Sequence, residues 1–153
     1  MASTRQFRQV DAGLYHSCAV TTGDRAFCWG NGRSGQIGDG KTYLRFWPRA
    51  VAGGLSFTRV STENFHTCGE TTLNRAYCWG DNTSGQLGDG TTTRRLTPVA
   101  VAGGLFFSQV SAGSPTCGRT SGAVGYCWGE NSEGQLGDGT TTDRHTPVAV
   151  AGP

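Results

Sequence analysis

Apolar and polar residues alternate along this chain in short bursts, and nowhere does a 3.6-residue apolar period persist, a pattern that predicts strands and almost no helix. Phe-x-x-Val opens one such burst at Phe7 and Val10, and again at Phe57 and Val60 and at Phe107 and Val110. A second segment ends at Cys18, Cys68 or Cys117, and a third carries Cys28, Cys78 or Cys127, in each case ten residues on. Midway lie Thr22-Gly23-Asp24, Thr72-Leu73-Asn74 and Ser121-Gly122-Ala123, which join the two segments as hairpins. A turn centred there sets the two cysteines of a unit opposite each other on neighbouring strands, with Trp29, Trp79 or Trp128 on the other face. A fourth segment is expected after Pro48, Pro98 or Pro147, where Val99-Ala100-Val101-Ala102 and Val148-Ala149-Val150-Ala151 present Val on one face and Ala on the other.

The whole pattern recurs. Tyr77-Cys78-Trp79-Gly80 is matched by Phe27-Cys28-Trp29-Gly30 and Tyr126-Cys127-Trp128-Gly129, and each copy runs on into Gly-Gln-Ile/Leu-Gly-Asp-Gly at Gly35 to Gly40, Gly85 to Gly90 and Gly134 to Gly139. The spacing is 50 residues, then 49, so residues 1–153 form one repeat array with units at approximately 4–53, 54–103 and 104–153. A unit of this size cannot cover its own faces, and stability must come from stacking. Four short antiparallel strands with apolar residues on both faces describe a sheet held between two similar sheets. The expected fold is therefore all-β, a β-propeller with three four-stranded blades per chain. A twelve-stranded β-sandwich competes, but strict repetition favours radial stacking over Greek-key wiring.

Composition changes this picture little. Glycine accounts for 25 of the 153 residues, but at fixed places in each unit, so it marks turns and not a disordered linker. The net charge of +2 comes from twelve Arg and one Lys scattered among acids, which leaves no footprint for nucleic acid. No apolar run approaches the ~18 residues of a membrane span. Met1-Ala-Ser-Thr-Arg5 lacks the apolar core of a signal peptide.

The units, with His-Ser/Thr-Cys at His16 and His66, Tyr/Phe-Cys-Trp-Gly, and Gly-Gln-Leu-Gly-Asp-Gly, resemble repeats of the regulator-of-chromosome-condensation family in its bacterial cysteine-containing form, over Phe7 to Gly152. The resemblance implies a β-propeller, usually a single chain toward the upper end of the range of about four to eight blades, where this chain supplies three. The family includes a eukaryotic nucleotide-exchange factor for a small GTPase, a plant ultraviolet photoreceptor and a bacterial inhibitor of β-lactamases, and membership alone does not choose among them. The photoreceptor's Gly-Trp-Arg-His-Thr motif is missing, because Trp29, Trp79 and Trp128 are each followed by Gly. No insertion is long enough to wedge into a GTPase.

Several chemistries can be weighed on residues alone. His16 with Cys18 and Cys28, or His66 with Cys68 and Cys78, offers only three zinc ligands, and the third unit has Pro115 in the histidine's place. Asp39, Asp89 and Asp138 supply one fixed acid per Gly-Asp-Gly, too few for a calcium loop and suited to a turn. Trp29, Trp79 and Trp128 could be lectin platforms, but identical strand positions favour inter-blade core, each indole N–H finding a backbone acceptor. Catalysis needs one convergent set of groups, whereas every reactive group here occurs two or three times, so no catalytic residue, metal or cofactor is expected. Within-blade disulfides Cys18–Cys28, Cys68–Cys78 and Cys117–Cys127 are expected under oxidising conditions, as in a secreted bacterial parent protein. The lack of a signal peptide argues instead for a reducing compartment, where the six would be small buried hydrophobes.

The copies differ most between Gly-Asp-Gly and proline. Thr91 to Thr97 and Thr140 to Thr146 are polar links, while the first unit reads Lys41-Thr42-Tyr43-Leu44-Arg45-Phe46-Trp47. Tyr43, Phe46 and Trp47, helped by Arg45, form the expected partner-binding patch, since exposed aromatics beside an arginine make binding hot spots. The competing readings pack them against a neighbouring loop or chain, or take this blade as having simply drifted. Leu14-Tyr15-His16, Asn64-Phe65-His66 and Ser114-Pro115, between the first two strands, are a second variable stretch expected to share that surface. The function expected is a protein-binding or self-assembling scaffold; the alternative, a carbohydrate-binding propeller, should repeat its aromatic site in every blade, and this patch is not repeated. Two terminal blades would each bare an apolar face, so the chain is expected to pair with itself as a homodimer, a six-bladed ring, with a nine-bladed homotrimer as runner-up.

Overall fold

The structure, a computed structural model, describes residues 4–153. Twelve strands follow in order: β1 Phe7–Ala12, β2 His16–Thr21, β3 Ala26–Gly30, β4 Arg45–Ala50, β5 Phe57–Thr62, β6 His66–Thr71, β7 Ala76–Gly80, β8 Arg95–Ala100, β9 Phe107–Ser111, β10 Thr116–Thr120, β11 Gly125–Gly129 and β12 Arg144–Ala149. Among the described residues there is no helix. The strands form three antiparallel four-stranded sheets, each in sequence order, which are propeller blades one to three. Each β2–β3-type hairpin turns through a left-handed residue, Asp24 (φ 63°), Asn74 (φ 58°) or Ala123 (φ 64°). That turn fixes the register Cys18↔Cys28, Cys68↔Cys78 and Cys117↔Cys127, and all three pairs are disulfides. With their sulfurs bonded to each other, these cysteines offer no thiolate to a metal.

The fourth strand differs from the sequence expectation. It starts before the proline and carries Pro48, Pro98 or Pro147 inside it. Arg45, Phe46 and Trp47, read from sequence as part of a link, are strand residues. The proline is tolerated because this strand is the outer edge of its sheet, pairs on one side only, and shifts register between Cys28 and Gly30 and at the equivalent places in the other blades. Val99-Ala100 and Val148-Ala149 do belong to the strand and pair with β7 and β11, and the residues beyond are tied by single bonds such as Val101 N–H to the Ala76 carbonyl (3.0 Å).

Blades stack in chain order, and the core lies between them. One face of each blade carries its disulfide and looks forward to the next blade; the other carries Phe, Val and Trp and looks back. Cys18, Val20, Cys28, Ile37 and Val51 of blade one enclose Phe57, Val60 and Trp79 of blade two. Cys68, Cys78 and Leu87 of blade two enclose Phe107, Val110 and Trp128 of blade three in the same way. The β1, β5 and β9 strands converge, which puts them toward the propeller axis and the fourth strands at the rim.

Candidate functional site

The two internal joints are copies of one hydrogen-bond design. Trp79 donates its indole N–H to the Gln36 carbonyl (2.9 Å), and Thr67 donates its hydroxyl to the same oxygen (2.8 Å). One joint further on, Trp128 and Thr116 do the same to the Gln86 carbonyl, at 3.0 and 2.8 Å. His16 Nε2 lies 2.7 Å from the Thr67 hydroxyl, and His66 Nε2 lies 2.9 Å from that of Thr116. Each threonine has one proton, already given to the glutamine carbonyl, so each histidine must donate and carries its proton on Nε2. Both histidines are buried, and that burial lowers each pKa to about 4. They are neutral joint residues and not ligands. Gly38 and Gly88 are needed where they stand: a Cβ on either would sit 2.7 Å from the Trp79 or Trp128 indole nitrogen.

Polar pairs nearer the axis complete the first joint. The Gln9 amide donates to the Val60 carbonyl (2.8 Å) and accepts from its N–H (2.9 Å). Asp11 accepts from the Thr62 N–H at 2.7 Å, and in the second joint Ser61 Oγ accepts from the Ala112 N–H at 3.0 Å. At the rim, Gly40 donates to the Leu96 carbonyl (3.0 Å) and Gly90 to that of His145 (2.8 Å). The long loop of one blade thus rests on the start of the next blade's fourth strand.

Within a blade that loop is clamped by the Gly-Asp-Gly acid. Asp39 pairs with Arg45 (2.6 Å), Asp89 with Arg95 (2.9 Å) and Asp138 with Arg144 (2.8 Å). Asp138 is held down at about 2, chiefly by the Thr140 hydroxyl and with help from Arg144. For Asp89, burial works the other way, but bonds from Thr91, Arg95 and Asn82 outweigh it and leave its pKa lowered.

The sequence-derived patch divides on this geometry. Arg45 belongs to the repeated clamp, with its guanidinium also 5.6 Å from the Tyr43 ring centroid. Tyr43, Phe46 and Trp47 are 63%, 83% and 77% exposed. Leu14, Tyr15 and Phe65 are exposed at the same end of the blades, where the Tyr15 and Phe65 rings stack at 5.4 Å. A polar groove of about 200 Å³ between blades two and three opens there beside Phe65 and Glu130. Phe46 and Trp47 align in sequence with Leu96 and Thr97; that those positions lie against the preceding blade is visible only in the fold.

The end faces are halves of the same joint. Val10 is 58% exposed where Val60 and Val110 are 2% and 3%, and Phe7 and Trp29 are only half-buried. Among the described residues the Trp29 indole has no acceptor corresponding to Gln36 or Gln86. On blade three, Cys117, Cys127, Gly125 and Val150 line an apolar groove of about 320 Å³, with Gln109 and Ser111 at its edge.

Two sequence profiles, both described as Regulator of chromosome condensation (RCC1) repeat, match the chain, one over residues 7–36 and 50–86, the other over residues 74–117 and 122–153. The chain belongs to the RCC1 repeat family. Among solved structures, this RCC1 array superposes on Prp20p from Saccharomyces cerevisiae with a TM-score of 0.86 and 17% identity, covering 98% of this chain and 39% of that one. It is also similar to human WBSCR16 (TM-score 0.67, 18% identity, 100% and 55% covered) and to the ectodomain of the Physcomitrella patens receptor kinase CR4 (TM-score 0.60, 23% identity, 92% and 34% covered). These likenesses bear on the fold. The RCC1 array spans about two-fifths of the Prp20p chain.

Proposed function

We propose that this RCC1 array is a non-enzymatic protein-binding scaffold completed by self-assembly, its working form a six-bladed ring of two copies. The observation that carries this reading is the match between its ends: the backward face of blade one offers Phe7, Val10 and Trp29, and the forward face of blade three offers an apolar groove walled by a disulfide. Contiguous apolar faces of this kind are covered in water. Two copies give six blades at about 60° each, inside the usual range of four to eight; three copies give nine, outside it. Two-fold closure also covers both ends at once and leaves nothing to propagate a fibre.

Protein, as the class of any further partner, is supported by the relatives: Prp20p is described by its binding to Gsp1p and histones, and yeast RCC1 as bound by Kap60. The absence of catalysis is supported by the fate of the reactive groups, since the six sulfurs are paired and both buried histidines are committed to threonines. Light scattering on the purified 16.1 kDa chain should give about twice that mass. A stable monomer at micromolar concentration refutes the ring.

A further inference from the structure

We infer that the aromatic departure in blade one is the seam that closes this ring, with Phe46 and Trp47 seated on the Gly134–Gly139 turn of a second copy. The inference rests on the self-assembly reading and adds to it the residues that make the contact. Both internal joints supply the template. A Cβ on Gly35 would lie 2.7 Å from the Leu96 side chain, and one on Gly85 would lie 2.4 Å from the His145 ring. Cβ atoms on Gly40 and Gly90 would lie 3.8 Å from Thr97 and Thr146. In the same rim contact, Arg94 reaches back to the Arg33 carbonyl (3.3 Å). Phe46 stands where Leu96 and His145 stand, Trp47 where Thr97 and Thr146 stand, and Leu44 where Arg94 stands. Phe46, Trp47 and Leu44 therefore stand at positions whose counterparts touch the preceding blade, whereas Tyr43, at the Thr93 and Thr142 position, is not part of that contact.

The receiving turn is bare in the matching way. A Cβ on Gly139 would meet nothing within 4 Å, and one on Gly134 would meet only its own loop, at the Thr140 carbonyl. With the second copy in the register of the internal joints, Gly139 N–H donates to the Phe46 carbonyl, and the Gln135 carbonyl accepts from Trp29 and Ser17. Gln109 takes the Val10 backbone as Gln9 takes that of Val60, and Ser111 accepts from Ala12 as Ser61 does from Ala112. Each of these has its counterpart; the one member of the template lost is the histidine, since Pro115 stands where His16 and His66 donate to the threonine. A joint between separate chains must also offset the entropy of association, which a joint within one chain does not. Larger apolar side chains at that joint alone are the expected answer, aromatic residues being the usual anchors.

The test uses the variant Phe46→His/Trp47→Thr, which gives blade one the residues that blade three already carries at His145 and Thr146. Circular dichroism, and melting at a concentration low enough that the parent is monomeric, should match the parent, while sedimentation should show at least about tenfold weaker dimerisation. Hydrogen exchange on the parent at high and low concentration should show segments 44–47 and 134–139 becoming protected together on dimerisation. A parent that stays monomeric removes the self-assembly reading and this inference with it. A dimer whose affinity the variant leaves unchanged overturns the seam alone, as does protection of 44–47 without 134–139, which would mean that the aromatics face a different surface.

Discussion

Acidification should loosen this array through its two buried histidines. Both are neutral in the folded state, with pKa lowered to about 4 by burial, against an ordinary value of 6.5. For a base with a depressed folded pKa, the unfolded chain binds the extra proton first. The stability is fully present above 6.5 and is lost as pH falls through the window from 6.5 to 4. The loss is about 1.4 kcal/mol per pH unit per histidine, so moving from pH 7 to pH 5 removes roughly 2 kcal/mol at each and about 4 kcal/mol in all. For a chain of this length that is a fall of roughly ten degrees in melting temperature. Structure adds a reason for His16 in particular: its Nε2–H is committed to Thr67, so the second proton must go on Nδ1, which is buried without a partner among the described residues. Melting curves at pH 7, 6 and 5 for the parent and for His16→Gln/His66→Gln measure this, since glutamine keeps a donor without titrating. If parent and variant lose stability with the same slope, the histidines are not what acid attacks.

Two other outcomes follow from single features. Reducing the disulfides, whose cysteines stand 10 residues apart, should cost about 2.8 kcal/mol for each closure in the chain-entropy model, seen as a lower melting temperature in dithiothreitol; an unchanged melt refutes it. Glu70 is a buried carboxyl whose oxygens make no well-aligned hydrogen bond among the described residues; burial raises its pKa against the opposing charge of Arg59, 3.9 Å away, and the backbone N–H groups of Glu70 and Val110. Its folded pKa lies above its unfolded one, so ionisation costs stability as pH rises through that interval. Glu70→Gln should accordingly be more stable at pH 7, seen as a higher urea midpoint, and an equal or lower midpoint counts against this account.

How much of this was legible in the sequence depended on which physical rule each feature obeys. Hairpin register follows from local spacing, so Cys18 opposite Cys28 and its two copies could be placed without coordinates. Trp79 and Trp128 could be assigned to the inter-blade core because three identical positions point to a shared scaffold role, and a buried indole needs an acceptor. The fourth strand could not be bounded, because proline normally ends a strand and only the outer-edge placement of β4, β8 and β12 lifts that rule. Histidine illustrates a subtler loss. The sequence shows His16 and His66 two residues before a cysteine, a metal-like spacing, while their hydrogen-bond partner is a threonine 51 or 50 residues away in the next blade. The replacement by Pro115 was the available clue: a metal site would need its histidine in every unit, whereas the third unit does without it. Phe46 and Trp47 are a similar case. Their counterparts Leu96 and Thr97 serve the preceding blade, so their role is set by a neighbour about fifty residues away in the chain and no local spacing rule could reveal it.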